Sequence, residues 1–169
     1  QIIGGNQRLQ ERPIKELVDG LRQLGAKIEY LEQEGHGPLR ISSSHLNEGV
    51  ISIPGDVSSQ YITALLLIAP CIGKVQIVIE GEQISKPYIE MTIDGMRQWG
   101  VRVTNHDFAE YLVSPGQQYI REQYLIEGDF SSAGYFFAIA ALTESTITLQ
   151  NLNPRSKQAD IQLMESLEE

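Results

Sequence analysis

Along the chain, apolar residues alternate between helical and strand spacing, and they do so twice in the same order. In RPIKELVDGLRQLGAKIEY, starting at Arg12, the residues Ile14, Leu17, Val18, Leu21 and Leu24 fall on one helical stripe. Pro13 suits the first turn of that helix and Gly25 its C-terminal stop. KPYIEMTIDGMRQWGVRVT, starting at Lys86, begins a similar stripe with Ile89, Ile93 and Met96, and has Pro87 and Gly100 in the matching places. Strand-like runs follow each helix: 27–31, 39–43 and 50–53 in the first copy, 101–104, 110–114 and 123–127 in the second. A Gly-Asp-x-Ser-Ser elbow then opens a second, more apolar helix, in GDVSSQYITALLLIA from Gly55 and in GDFSSAGYFFAIAAL from Gly128. These helices are expected over 58–69 and 131–142, and strands 74–80 and 146–150 close the copies.

Two landmarks fix the repeat. Asp19-Gly20 and Asp94-Gly95 are 75 positions apart, and Gly55 and Gly128 are 73 apart; internal similarity at one period is the mark of a repeated unit. Each copy is a β/α unit of two helices and about four strands, which predicts an α/β protein with helices packed on sheets. ITALLLIA and YFFAIAAL are apolar nearly all round, so the elbow helices are expected to be central and the Pro-started ones peripheral.

Composition narrows the function classes. The chain has 169 residues, of which 41% are hydrophobic, enough for one ordinary domain or two small ones. A formal net charge of −9 argues against general nucleic-acid binding. It leaves room for an anionic small molecule, because helix N-termini and a few cations bind anions locally. The single cysteine, Cys71, excludes an internal disulfide and is expected to be a buried structural thiol in LLIAPCIG. His36, His45 and His106 show no metal-ligand spacing. No apolar run is long enough for a membrane span, so a cytoplasmic setting is expected. The chain opens on QIIGG as if leaving a strand and stops inside the amphipathic DIQLMESLEE, as a piece of a longer polypeptide would.

The candidate chemistry sits at helix starts. In the first elbow Asp56 or Ser58 can cap the helix, while Ser59 and Gln60 occupy its first turn beside unpaired backbone N–H groups. Two hydroxyls and an amide there suit a phosphate or polyhydroxy ligand, although plain capping is the ordinary use of such residues. The second elbow carries Ala133 in place of Gln60, which strengthens the capping reading. Arg12, just before Pro13, suits bidentate binding of a carboxylate or phosphate; its repeat partner Lys86 stands in ISKPY with Ser85 and Tyr88. An exposed salt bridge is the alternative for either cation. Arg22 and Arg97 are expected on solvated helix faces, and Trp99 and the tyrosines in the core or on strand faces.

Several stretches together resemble the 5-enolpyruvylshikimate-3-phosphate synthase family (3-phosphoshikimate 1-carboxyvinyltransferases): GNQRLQERPIKELVDGLRQLGA, SSQYITALL after its Gly-Asp-x strand end, ISKPYIEMTIDGM, and EGDFSSAGYFFAIAAL. The resemblance covers nearly the whole chain in order. It implies a truncated enolpyruvyltransferase fold, an inside-out α/β barrel of βαβαββ units. Residues 1–83 would be one such unit, 84–128 a second unit of the same domain, and 129–169 the incomplete start of the opposing domain. It also implies transfer of the enolpyruvyl group of phosphoenolpyruvate to the 5-hydroxyl of shikimate 3-phosphate, in aromatic amino-acid biosynthesis, without metal or organic cofactor. By motif, Ser58, Ser59, Gln60, Ser85 and Tyr88 would contact shikimate 3-phosphate, with Gln60 also near phosphoenolpyruvate. Arg12 would hold phosphoenolpyruvate, with Lys86 a further candidate. The family's catalytic acid–base groups would lie outside this sequence, so the chain alone is expected to be inactive, with the missing parts of its parent chain as partners and neither nucleic acid nor membrane among them. Two other readings remain: a fragment of the sister UDP-N-acetylglucosamine enolpyruvyltransferase, which SSQ and SKPY disfavour, and a non-catalytic structural or binding module.

Overall fold

The computed structural model describes residues 1–42, 45–120 and 123–168. By contact density the chain forms two parts, Gln1–Ile120 and Arg121–Glu169.

The first part holds two sheets. Strands β1 (Ile2–Ile3), β2 (Ile28–Tyr30) and β3 (Leu39–Ile41) make a small antiparallel sheet in the order β1-β3-β2. The expected strand 39–43 thus ends at Ile41, and Ser43 lies outside the described residues. Strands β4 (Gly49–Pro54), β5 (Val75–Glu80), β6 (Val103–His106) and β7 (Glu110–Val113) make a second sheet in the order β4-β5-β7-β6. Only the β4–β5 pair is parallel, as a helical crossover between the two requires. In this sheet Ile51, Ile53, Val75, Ile77, Ile79, Tyr111 and Val113 point to the buried face, while Val50 on the other is 54% exposed. That is the two-residue alternation of a sheet covered on one side.

The covering layer is helical. Beyond the short α1 (Gln7–Gln10), helix α2 (Lys15–Gln23), helix α3 (Ser59–Ile72) and helix α4 (Lys86–Gln98) follow the repeat. Helix α3 contacts both α2 and α4 and reaches β5 and β7, so the first elbow helix is central, as its composition predicts. Its buried residues Ile62, Leu65, Leu66 and Ala69 occupy one stripe. Cys71 lies off that stripe and is exposed, which corrects the expectation of a buried thiol: an all-apolar helix still has a face turned away from the core. Helix α2 serves two clusters, with Val18 packed on Ile28 and Leu39 while Leu17, Leu21 and Leu24 join the main core.

Helix ends follow local chemistry. Gly25 (φ +93°) and Gly100 (φ +92°) take the left-handed position after α2 and α4. In each case two backbone bonds close the end, Gly25 N to Arg22 O and Ala26 N to Leu21 O, then Gly100 N to Arg97 O and Val101 N to Met96 O. This is the same Schellman stop used twice. Pro87 falls in the first turn of α4, but Pro13 stands ahead of the Ile14 N-cap of α2. There Ile14 N–H donates to Gly35 O (2.8 Å), and that tertiary bond keeps Ile14 outside the helix as its N-cap. Arg97 is solvated as expected (side chain 69% exposed). Arg22 is exposed too, and its side chain folds along the surface, donating through Nη2 to Ile28 O (2.6 Å) and lying 5.0 Å from the Tyr30 ring centroid.

The second part contains α5 (Phe130–Thr143) and α6 (Ile161–Glu168), which pack together. The runs 123–127 and 146–150 are not strands, and Leu125 and Ile126 of the first are 83% and 76% exposed; in α5 only Phe130, Ala133 and Gly134 are buried, while Tyr135 and Leu142 are 76% and 85% exposed. A strand exists only with a partner ladder, and an apolar helix is buried only where another element packs on it. The two runs meet where Gly128 N–H donates to Asn151 O (2.6 Å), the counterpart of Gly55 N–H to Glu80 O (2.8 Å) in the first repeat. The repeated glycine has a steric reason. A methyl group on Gly55 would stand 2.5 Å from Glu82 O, and one on Gly128 3.0 Å from Asn151 O.

Candidate functional site

The two elbows share a backbone plan and differ in their caps. In the first, Ser58 is the N-cap of α3 and its Oγ accepts from Gln60 N–H (3.3 Å). In the second the cap moves two places back to Asp129, whose carboxylate accepts from Ser131 N–H (3.1 Å), Ser132 N–H (3.2 Å) and Ser132 Oγ (2.6 Å). The Ser132 hydroxyl, with the two backbone donors, holds that carboxyl below its ordinary pKa. Ser131 Oγ donates to Asp160 (2.8 Å). Both hydroxyls of the second elbow are therefore engaged, and a carboxylate fills the place an anion would take. At the first elbow, the Ser59 hydroxyl and Gln60 amide make no hydrogen bond to another described residue.

Two concave surfaces flank the start of α3. One, of about 440 Å³, is lined by Arg12, Pro13, Ser58, Gln60 and Tyr61 over an apolar floor that includes Ile3, Ile14 and Leu39. The other, of about 540 Å³, is lined by Ser58, Ser59, Gln60 and Thr63 from α3 and by Tyr88, Met91 and Thr92 from α4. Ser58 and Gln60 belong to both, so the structure brings Arg12, Ser58, Ser59, Gln60 and Tyr88 around one helix N-terminus. That end adds the partial positive charge of a helix start. No ion pair joins Arg12 to a carboxylate among the described residues, so the salt-bridge alternative is not realised there.

Ser85 and Lys86 lie outside the lining of both clefts. Ser85 is the N-cap of α4, held in the left-handed region (φ 54°, ψ 38°) without making a side-chain cap. A non-glycine residue in that region costs on the order of 1 kcal/mol and clusters at functional sites. The conformation is fixed from both sides, by Ile84 N–H to Gly55 O (3.0 Å) and by Tyr88 N–H to Ser85 O (3.2 Å). Lys86 Nζ stands 3.9 Å from Glu82 Oε1 and 5.5 Å from the Phe108 ring centroid, which realises the surface-pair reading of this cation.

Sequence reasoning missed Thr63, Thr92 and Tyr61 as site residues. Thr63 and Thr92 follow Ser59 and Tyr88 by four positions, the spacing of one helix face, and their hydroxyls meet at 2.8 Å, joining α3 to α4. Tyr61 Oη donates to Pro13 O, beside Arg12. Burial raises the Tyr61 pKa above its ordinary value, with Glu16 adding to the rise and Arg12 opposing it. The clefts hold hydroxyls, amides, one guanidinium and two phenols, and their described lining contains no carboxylate, imidazole or ammonium group. Such a surface can bind and orient an anionic polyol; it offers no group to shuttle protons near neutral pH.

One helix–hairpin–strand–helix–strand unit, whose helix, hairpin and elbow helix recur and whose elbow helix starts at a polar cleft, is an α/β architecture of the enolpyruvyltransferase type. The chain belongs to the EPSP synthase (3-phosphoshikimate 1-carboxyvinyltransferase) family, whose sequence profile it matches over residues 1–169. It is 48% identical over 169 residues to a 3-phosphoshikimate 1-carboxyvinyltransferase of Vibrio cholerae serotype O1 (strain M66-2), covering 99% of this chain and 40% of that protein. It is 47% identical over 168 residues to the enzyme of the same name from Shewanella denitrificans, covering 98% of this chain and 39% of the relative. An EPSP synthase structure from Acinetobacter baumannii superposes with a TM-score of 0.70 at 20% identity, over 98% of this chain and 37% of that one, and shares the fold. The chain thus spans about 40% of the length of these curated relatives. Among the described residues no helix is long and apolar enough to cross a membrane.

Proposed function

We propose that this chain is part of a cytoplasmic shikimate-pathway transferase that moves the enolpyruvyl group of phosphoenolpyruvate to the 5-hydroxyl of shikimate 3-phosphate in aromatic amino-acid biosynthesis. In this reading residues 1–83 and 84–128 are two units of one domain and 129–169 begin the opposing one. The contact division after Ile120 falls near that second boundary. The observation that carries the reading is the sharing of Ser58 and Gln60 by two clefts, one reaching Arg12 and the other Tyr88. Ser58, Ser59, Gln60, Ser85 and Tyr88 contact shikimate 3-phosphate, and Arg12 with Gln60 holds phosphoenolpyruvate. Two substrates meeting at one helix N-terminus fit two polar clefts that share a wall, and polyanions fit donors that lack protein acceptors.

In this reading the chain's own part is binding. Addition of the hydroxyl to phosphoenolpyruvate and elimination of phosphate both need a proton donor and acceptor. The clefts contain neither a carboxylate nor a Lys, so those groups and the rest of the anion clamp come from other parts of the parent enzyme. The test is titration of the 169-residue chain with shikimate 3-phosphate, read by amide chemical shifts, alongside a coupled phosphate-release assay. Shifts at Ser58, Ser59, Gln60 and Tyr88 without turnover are expected. No response at millimolar ligand would favour a purely structural module, and clear turnover would overturn the binding-only reading.

A further inference from the structure

We infer that Tyr61 is a positioning residue for Arg12, fastening the guanidinium-bearing segment to the first turn of α3 so that Arg12 and Gln60 face one anion. The inference rests on the proposed function and deepens it. Arg12 precedes α2 in a stretch with no regular structure of its own, where an exposed arginine would ordinarily sample many rotamers. Its backbone is constrained on both flanks. Arg12 N–H donates to Leu9 O (3.2 Å), Pro13 has a fixed φ and restricts the residue before it, and Ile14 N–H donates to Gly35 O. The remaining tie is the Tyr61 hydroxyl on Pro13 O, a contact spanning 48 residues of sequence. Tyr61 is itself packed against the main core, so the tie transmits the position of α3 to Arg12.

The placement is specific. Gln60 and Tyr61 are neighbours in the first turn of α3, and both line the cleft that holds Arg12 and Pro13. One residue presents an amide to the ligand space, and the next ties down the peptide that follows Pro13, one residue on from Arg12. A half-buried phenol could satisfy its hydroxyl with water or any acceptor; here it uses the Pro13 carbonyl, one residue from the cation of the cleft's described lining. Arg12 and Tyr61 also sense each other electrostatically, since Arg12 opposes the rise in the Tyr61 pKa. Substituting Phe keeps the packing and removes only the tie.

The experiment is a double-mutant cycle on the 169-residue chain, with Tyr61→Phe, Arg12→Gln and the pair. Affinity is measured separately for phosphoenolpyruvate and for shikimate 3-phosphate by NMR titration. Tyr61→Phe is expected to weaken phosphoenolpyruvate about three- to tenfold, the loss that one net hydrogen bond carries, while shikimate 3-phosphate binding at the Tyr88 side changes less than twofold. In the Arg12→Gln background Tyr61→Phe should have no further effect. Equal weakening of both ligands, or an undiminished effect without Arg12, assigns Tyr61 a merely structural role and overturns the inference. Unchanged phosphoenolpyruvate affinity in Tyr61→Phe does so as well. If the unmodified chain responds to neither ligand, it is the proposed function that fails, and the positioning role with it.

Discussion

Gly55→Ala tests whether the elbow glycine sets the approach of the α3 start to the loop before α4. A Cβ at this position would stand 2.5 Å from Glu82 O, 2.7 Å from Glu82 C and 2.7 Å from Ile79 Cγ2. Ordinary carbon contacts lie near 3.5 Å, so the two backbones must part by about 1 Å. They are bound to each other on either side, through Gly55 N–H to Glu80 O at 2.8 Å and Ile84 N–H to Gly55 O at 3.0 Å. A movement of that size takes both bonds out of range, at about 1 kcal/mol each, and residual crowding adds about 1–3 kcal/mol. The smaller conformational freedom of Ala in the unfolded chain offsets about 0.4–1 kcal/mol. The net expectation is a loss of about 2–4 kcal/mol. Urea unfolding followed by fluorescence of Trp99, the chain's one tryptophan, reports the first part, because its ring packs edge-on against Tyr119 there. A fall of about 1–2 M in the midpoint is expected at an unchanged slope. A change below about 0.5 kcal/mol would refute the steric account and return the glycine to mere turn preference.

Two further substitutions probe the repeat. Gly20 and Gly95 occupy equivalent places, yet a methyl on Gly20 would meet Leu65 Cδ1 at 3.2 Å and Ile51 Cγ2 at 3.3 Å, while one on Gly95 would meet nothing within 4 Å. Gly95→Ala should therefore stabilise the chain by about 0.5–1 kcal/mol through helix propensity, and Gly20→Ala should destabilise it by about 1 kcal/mol through crowding; equal effects in urea titrations would contradict this. Tyr111 is fully buried, its hydroxyl has no partner among the described residues, and burial pushes its pKa up to about 12 from 10.0. The folded state holds this proton more tightly than the unfolded one, so its contribution is complete below pH 10 and is lost as pH rises toward 12. Tyr111→Phe should gain about 1 kcal/mol at neutral pH and flatten that alkaline decline, as thermal melts across pH 8–11 would show.

The repeat was legible in the sequence because each local device depends on few neighbours. Glycine at 25 and 100 stops a helix through its own left-handed backbone, and alternation in VISIP and VQIVIE marks strands covered on one face. The candidate site rests on local signals too: SSQ at a helix start sets donors at a positive helix end, and Arg12 and Tyr88 bear groups suited to an anion. Thr63 and Thr92 were available from four-residue spacing, whereas Tyr61 was not, since its partner lies 48 positions away.

What the tertiary structure alone decided is which equivalent devices do equivalent work. The near-identical elbows GDVSSQY and GDFSSAGY promised one cap and produced two, Ser58 in the first and Asp129 in the second. The apolar helices ITALLLIA and YFFAIAAL promised the same burial; α3 packs on strands of its own part, whereas Leu142 of α5 is 85% exposed. Periodicity fixes which residues can share a face, because it follows from the rise and turn of one helix or strand. Whether that face is covered, and whether a hydroxyl is satisfied by the protein or left to a ligand, depends on residues distant in sequence, and those meet only once the chain has folded.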